Sequence, residues 1–121
     1  MYADTLRILA SALLAMQSIG CALPQQKPSR TIPATEVSCK EAGGDWISLG
    51  IPYPGKPKSC DLKARDAGYQ CSDSKVCEGV CLAPETAPAG ARVTGKCSPY
   101  VRNFGNIHSV ENGVVQDWNI E

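Results

Sequence analysis

Gly105-Asn-Ile-His-Ser-Val-Glu111, then Asn112-Gly113, then Val114-Val-Gln-Asp-Trp-Asn-Ile120 are two strand-like runs around an Asn-Gly pair. That pair is the strongest short-range hairpin signal, because both residues tolerate the positive φ that a two-residue type I′ turn demands. Such a turn leaves one register: Glu111 opposite Val114, Val110 opposite Val115, His108 opposite Asp117, Ile107 opposite Trp118 and Asn106 opposite Asn119. Alternation places Ile107, Trp118 and Ile120 on one face, which is expected to pack toward the rest of the domain. His108 beside Asp117 has the composition of half a catalytic dyad. No partner nucleophile accompanies it, and a cross-strand pair of this kind satisfies both of its members.

Upstream of the hairpin the chain is organised by cysteine. There are 7 cysteines in 121 residues, and an odd count in an exported protein flags a free thiol or an intermolecular bridge. Setting Cys21 apart leaves Cys39, Cys60, Cys71, Cys77, Cys81 and Cys97, which pair completely into three disulfides. Their spacing contains no C-x-x-C, so neither a zinc ribbon nor a thioredoxin-type redox pair is indicated. Connectivity stays open, since six cysteines allow about 15 pairings. Between Cys39 and Cys97 the chain is rich in Gly, Pro, Asp and Ser, with no apolar run at helical spacing long enough for a stable helix. The core candidates Trp46, Ile47, Leu49, Leu62, Tyr69, Val76, Val80 and Leu82 are too few to hold the domain without crosslinks. The expected fold class is therefore a small disulfide-rich domain of mostly short β-strands and loops, closed by a C-terminal β-hairpin and preceded by an N-terminal signal helix.

The amino terminus carries that signal. Residues 1–20 hold Arg7, the apolar run Ile8 to Met16, and a small-residue end before Cys21, which is the layout of a secretory signal peptide. Ser18-Ile-Gly-Cys21 resembles a bacterial lipobox, which implies acylation of Cys21; a cut after Ala22 by an ordinary signal peptidase is the alternative. With Ala22 next to the acylated cysteine, the resemblance implies sorting to the outer membrane, with periplasmic release or secretion following from the other cut. Residues 21–38 read as the lipid anchor and a Pro-rich tether, because residues 22–36 carry three prolines and no aromatic side chain and cannot offset the ordering entropy. The domain proper is 39–121, with its hairpin at 105–120.

Charge excludes other classes. Lys and Arg number 12 against 12 Asp and Glu, so no long-range field concentrates nucleic acid, and no nucleic-acid partner is expected. The longest apolar run, Ile8 to Ile19, has 12 residues, short of the roughly 18 that span a bilayer, so membrane attachment is expected through a lipid anchor only. A single histidine and no Gly-rich phosphate loop imply no metal and no cofactor. With the cysteines in disulfides, only His108 could act as a neutral-pH base, and the chain is not expected to be an enzyme.

Two loops could display side chains. Ile51-Pro-Tyr-Pro-Gly-Lys-Pro-Lys58 has three prolines that fix φ, so Tyr53, Lys56 and Lys58 are expected on a stiff, exposed arch anchored by Cys60. Pro84 to Gly95, with Arg92 near its end, reads as a longer and looser loop. Asp61, Asp66, Asp73 and Glu78 lack calcium-loop spacing and read as solvated charges and turn formers.

Gly43-Gly-Asp-Trp46, Cys60-Asp-Leu-Lys-Ala-Arg-Asp-Ala-Gly-Tyr-Gln-Cys71 and Ser72-Asp-Ser-Lys-Val-Cys77-Glu-Gly-Val-Cys81 resemble a group of small cysteine-rich bacterial envelope lipoproteins over residues 39–121. The resemblance implies architecture and location, and no activity. Members of that group often carry one further cysteine pair near the positions of Asn106 and Asn119, which this chain lacks. Taken together, these features lead to an expected exported, envelope-anchored, non-catalytic interaction or structural module, whose partner is a protein or other envelope component. The alternative is an inhibitor of a protease or lysozyme acting through the rigid loop 51–58.

Overall fold

The computed structural model describes Gly20 and residues 27–120. Apart from Gly20, the expected signal segment lies outside the described residues, as does the expected acylation site Cys21. The hairpin forms as its turn dictates. Strands β6 (Gly105–Glu111) and β7 (Val114–Ile120) pair antiparallel, and every residue pair named above is opposed in that register. Asn112 at φ 50° and Gly113 at φ 77° supply the two left-handed residues of the type I′ turn. The turn is also fastened from outside, by Asn112 N–H donating to Asp73 Oδ2 at 2.8 Å and Gly113 N–H to the Ser72 carbonyl at 2.7 Å.

The remaining elements are short: α1 (Glu36–Glu41), β1 (Asp45–Ile47), β2 (Ser59–Asp61), β3 (Gln70–Cys71), a 3₁₀ turn at Ser74–Val76, β4 (Cys81–Leu82) and β5 (Gly95–Cys97). They make two sheets, the pair β1-β2 and a five-stranded sheet of order β3-β5-β4-β6-β7. All six expected cysteines pair, as Cys39–Cys60, Cys71–Cys81 and Cys77–Cys97, with Cα separations of 5.4, 5.9 and 5.5 Å. The first bridge ties α1 to β2. The other two lie against Val110 in the buried centre of the larger sheet, and the smaller lobe is centred on Leu62 with Cys39 and Cys60.

Several core expectations are corrected. Leu62 and Val80 are buried, but Ile47, Tyr69 and Val76 are exposed, and Trp46, Leu49 and Leu82 are half-buried. Cystine residues instead make up most of both buried clusters. In the hairpin it is the Val110–Val115 face that enters the disulfide cluster. Trp118 stays 43% exposed, while its face-mate Ile107 is buried. A polar chain explains this: the Trp118 indole N–H donates to Ser109 Oγ at 2.8 Å, and both Ser109 and Ser74 donate hydroxyls to Glu111 Oε1. The face expected to be apolar is thus bound through hydrogen bonds, which buried serines require.

The segment expected as a free tether is not free over its described part. Lys27 Nζ donates to the Gly79 carbonyl at 2.6 Å, Arg30 donates to the Lys63 carbonyl, and Ile32 packs on the Leu62 lobe. Thr35 then caps α1, with its hydroxyl accepting the Ser38 N–H and Ser38 Oγ accepting the Thr35 N–H. Arg30 Nη2 also lies 3.8 Å from Glu78 Oε2, far away in sequence. Glu78, expected to be solvated, is only 5% exposed and accepts from the Arg65 backbone N–H and guanidinium. Burial alone would raise its pKa; the Arg65 hydrogen bonds, with the Arg30 and Arg65 charges, overcome that and hold it below the ordinary value. Asp73 is the turn former anticipated, since it caps the 3₁₀ turn through Lys75 N–H. The loop 84–95 is corrected too. Gly90 N–H donates to the Val115 carbonyl, Val115 N–H to Ala91, and Val93 N–H to Gly113, so the segment is laced to the start of β7.

Candidate functional site

The arch 51–58 joins β1 to β2 in the smaller lobe. Its base is fixed covalently at Cys60 and by Arg102, whose Nη2 donates to the Cys60 carbonyl and, at 3.3 Å, to Ser59 Oγ. Its tip is a β-turn at Tyr53-Pro-Gly-Lys56. Pro54 presets the first central φ, Gly55 supplies the second at 76°, and Lys56 N–H donates to the Tyr53 carbonyl at 3.2 Å. This is a type II arrangement, which needs a residue without a Cβ at Gly55.

The three displayed residues expected from the sequence meet different fates. Tyr53 is 58% exposed, and Lys58 is exposed. Lys56 turns inward: its Nζ donates to the Ile51 carbonyl at 2.6 Å and sits 5.4 Å from the centre of the Tyr53 ring. The ammonium therefore closes the arch on itself and holds the tyrosine by a cation–π contact. Ser48 Oγ adds a bond to the Lys56 carbonyl at 3.3 Å. Lys56 belongs to the scaffold of the arch, and its expected role as a displayed cation is corrected.

Sequence reasoning passed over two residues that complete the surface. Ile51 is 67% exposed at the shoulder of the arch, and Phe104 lies across from it beside Gly50. Together with Gly105, Asn106, Asn119 and Ile120 at the open end of the hairpin they line a shallow cleft of about 480 Å³. Ile51 stood within the quoted stretch, and its isolation among prolines was the available signal. Phe104 carried none, because its neighbour in space is some fifty residues away in sequence.

His108 is the other site the sequence singled out. Its Nδ1 lies 2.5 Å from Asp117 Oδ1 and its Nε2 2.8 Å from the Ala87 carbonyl. Both neighbours only accept, so the ring must donate from both nitrogens. The bond to Asp117 raises the pKa above 6.5 against a smaller opposing effect of desolvation, and the Ala87 carbonyl adds to the rise. In its protonated form the ring fastens the loop at Ala87 to the hairpin at Asp117. The three sulfurs of Cys71, Cys77 and Cys97 lie within 4.8 Å of one another, but each is consumed in a disulfide.

No known protein family, no curated protein and no solved structure matches the chain.

Proposed function

We propose that the protein is an exported, envelope-anchored, non-catalytic interaction module that holds a partner protein or envelope component through the arch 51–58. The observation that carries this reading is the combination of exposure and stiffness at one place: Ile51 and Tyr53 are 67% and 58% exposed on a loop closed by its own lysine and a disulfide at its base. Apolar and aromatic groups already held in their bound arrangement lose little entropy on contact. Three disulfides in so short a chain fit an oxidising compartment. The lipobox-like Ser18-Ile-Gly-Cys21 supplies an anchor, and the resemblance to envelope lipoproteins agrees with the outer membrane.

The test has two arms. Capture from envelope extracts by the purified protein, with mass-spectrometric identification, should retain a component that the Tyr53→Ala variant does not. Cys21→Ser should release the protein from the membrane fraction. Equal capture by Tyr53→Ala would move the site off the arch. Inhibition of a protease or lysozyme by the wild-type chain, lost in Tyr53→Ala or Lys58→Ala, would establish the inhibitor alternative.

A further inference from the structure

Among the described residues, strand β7 is an edge of the five-stranded sheet, and that edge is only partly covered. In the register with β6, the backbone groups of Val115, Asp117 and Asn119 point away from the hairpin. Val115 is engaged there, by Gly90 N–H and the Ala91 carbonyl at 2.8 and 2.9 Å. Beyond it, no backbone hydrogen bond among the described residues engages the outward groups of Asp117 or Asn119. Gln116, Asp117, Trp118 and Asn119 are all exposed. Unpaired strand edges of this kind are templates for a further strand.

We infer that this edge pairs with the same edge of a second copy of the chain, antiparallel about a two-fold axis through Trp118. The register follows from what is already occupied. An axis through Asp117 would require Val115 to bond the copy's Asn119, but the segment at Gly90–Ala91 holds that position, and two carboxylates would face each other. An axis through Trp118 uses only open groups: Asp117 and the copy's Asn119 exchange two backbone bonds, and the symmetric pair exchanges two more. The Asp117 carboxylate then stands opposite a carboxamide, which donates to it. The two indoles become a non-hydrogen-bonded cross-strand pair, the closest kind, and cover surface that each monomer leaves 43% exposed. With 12 positive and 12 negative side chains, no net repulsion opposes the approach. The contact is smaller than the roughly 1,200 Å² of standard interfaces, so the dimer is weak and concentration-dependent.

Sedimentation equilibrium of the full chain should show a monomer–dimer equilibrium at concentrations up to about 1 mM, the regime of such small contacts. Asn119→Pro removes an outward N–H from each copy while sparing every bond to β6, since proline is tolerated where its nitrogen faces away from the sheet. Losing two of four bonds should raise the dissociation constant roughly 30-fold. Independently of how that variant folds, Trp118→Cys should crosslink to itself under oxidising conditions, as shown by peptide mapping, while Asp117→Cys should not. A chain monomeric at every concentration, self-crosslinking of Asp117→Cys in place of Trp118→Cys, or a strand from another protein seated on this edge of a monomer would overturn the proposal.

Discussion

Leu62 with Cys39 and Cys60 makes up the buried centre of the smaller lobe, whereas the larger gathers Val110 among Cys71, Cys77, Cys81 and Cys97. The lobes close loops of nearly equal length, since Cys39–Cys60 spans 21 residues and Cys77–Cys97 spans 20. Chain entropy alone therefore gives both bridges about 3 kcal/mol. What separates them is the company they keep. In the larger lobe two crosslinks surround Val110, with β4, β5 and β6 across it; in the smaller one a single buried crosslink packs with Leu62, Ile32, Trp46 and Val101 and anchors an arch whose tip is exposed. Covalent closure at the base of the arch, without burial of its tip, leaves Ile51 and Tyr53 exposed.

The largest expected effect comes from the larger lobe. Cys77→Ala with Cys97→Ala should cost about 3–5 kcal/mol and remove cooperative thermal unfolding, because the cavity lies where Val110 packs. Retention of a sharp transition near the wild-type temperature would deny that lobe its role.

Two glycines sharpen the contrast. A Cβ at Gly95 would collide with the Leu82 carbonyl oxygen and lie 2.8 Å from Cys81 Sγ, whereas at Gly55, with φ 76°, nothing lies within 4 Å. Gly95→Ala should thus cost about 3 kcal/mol by overpacking, and Gly55→Ala about 1 kcal/mol from backbone strain alone. Urea denaturation of the two variants distinguishes them.

A pH effect follows from His108. Its folded pKa is raised by Asp117, so its contribution is fully present below the unfolded value of about 6.5 and is lost as pH rises through the folded pKa. The melting temperature should fall across that window, and His108→Gln should flatten the fall. Smallest of all, Tyr53→Ala should change stability by no more than about 0.5 kcal/mol, measured by thermal melting. A larger loss would mean that the tyrosine packs, and that the arch is part of the smaller core.

The hairpin was legible to the residue, because Asn112-Gly113 fixes a turn, and a two-residue turn fixes a register. How burial divides between its faces was not legible: Val110 enters a disulfide cluster whose pairing spacing does not encode, while on the other face Ile107 and Ser109 are buried and Trp118 is not. Tyr69 and Val76 are exposed in a lobe whose buried cluster is Val110 with four cystine residues, a packing that spacing does not encode. The ordering of residues 27–38 was hidden because Arg30 and Ile32 find their partners at Glu78 and Leu62. In the arch, prolines announced stiffness and exposure, but the inward turn of Lys56 depends on a carbonyl of its own loop that no pattern marks.

Native-state hydrogen exchange of the Cys39→Ala, Cys60→Ala double variant tests the division into two lobes most directly. If closure of the smaller lobe serves mainly to hold the arch, amides of β4, β5, β6 and β7 should keep protection within about tenfold of wild type, corresponding to roughly 1.4 kcal/mol. Those of β1, β2 and the arch should exchange freely. Uniform loss of protection across both sheets would contradict the account and show a single cooperative unit.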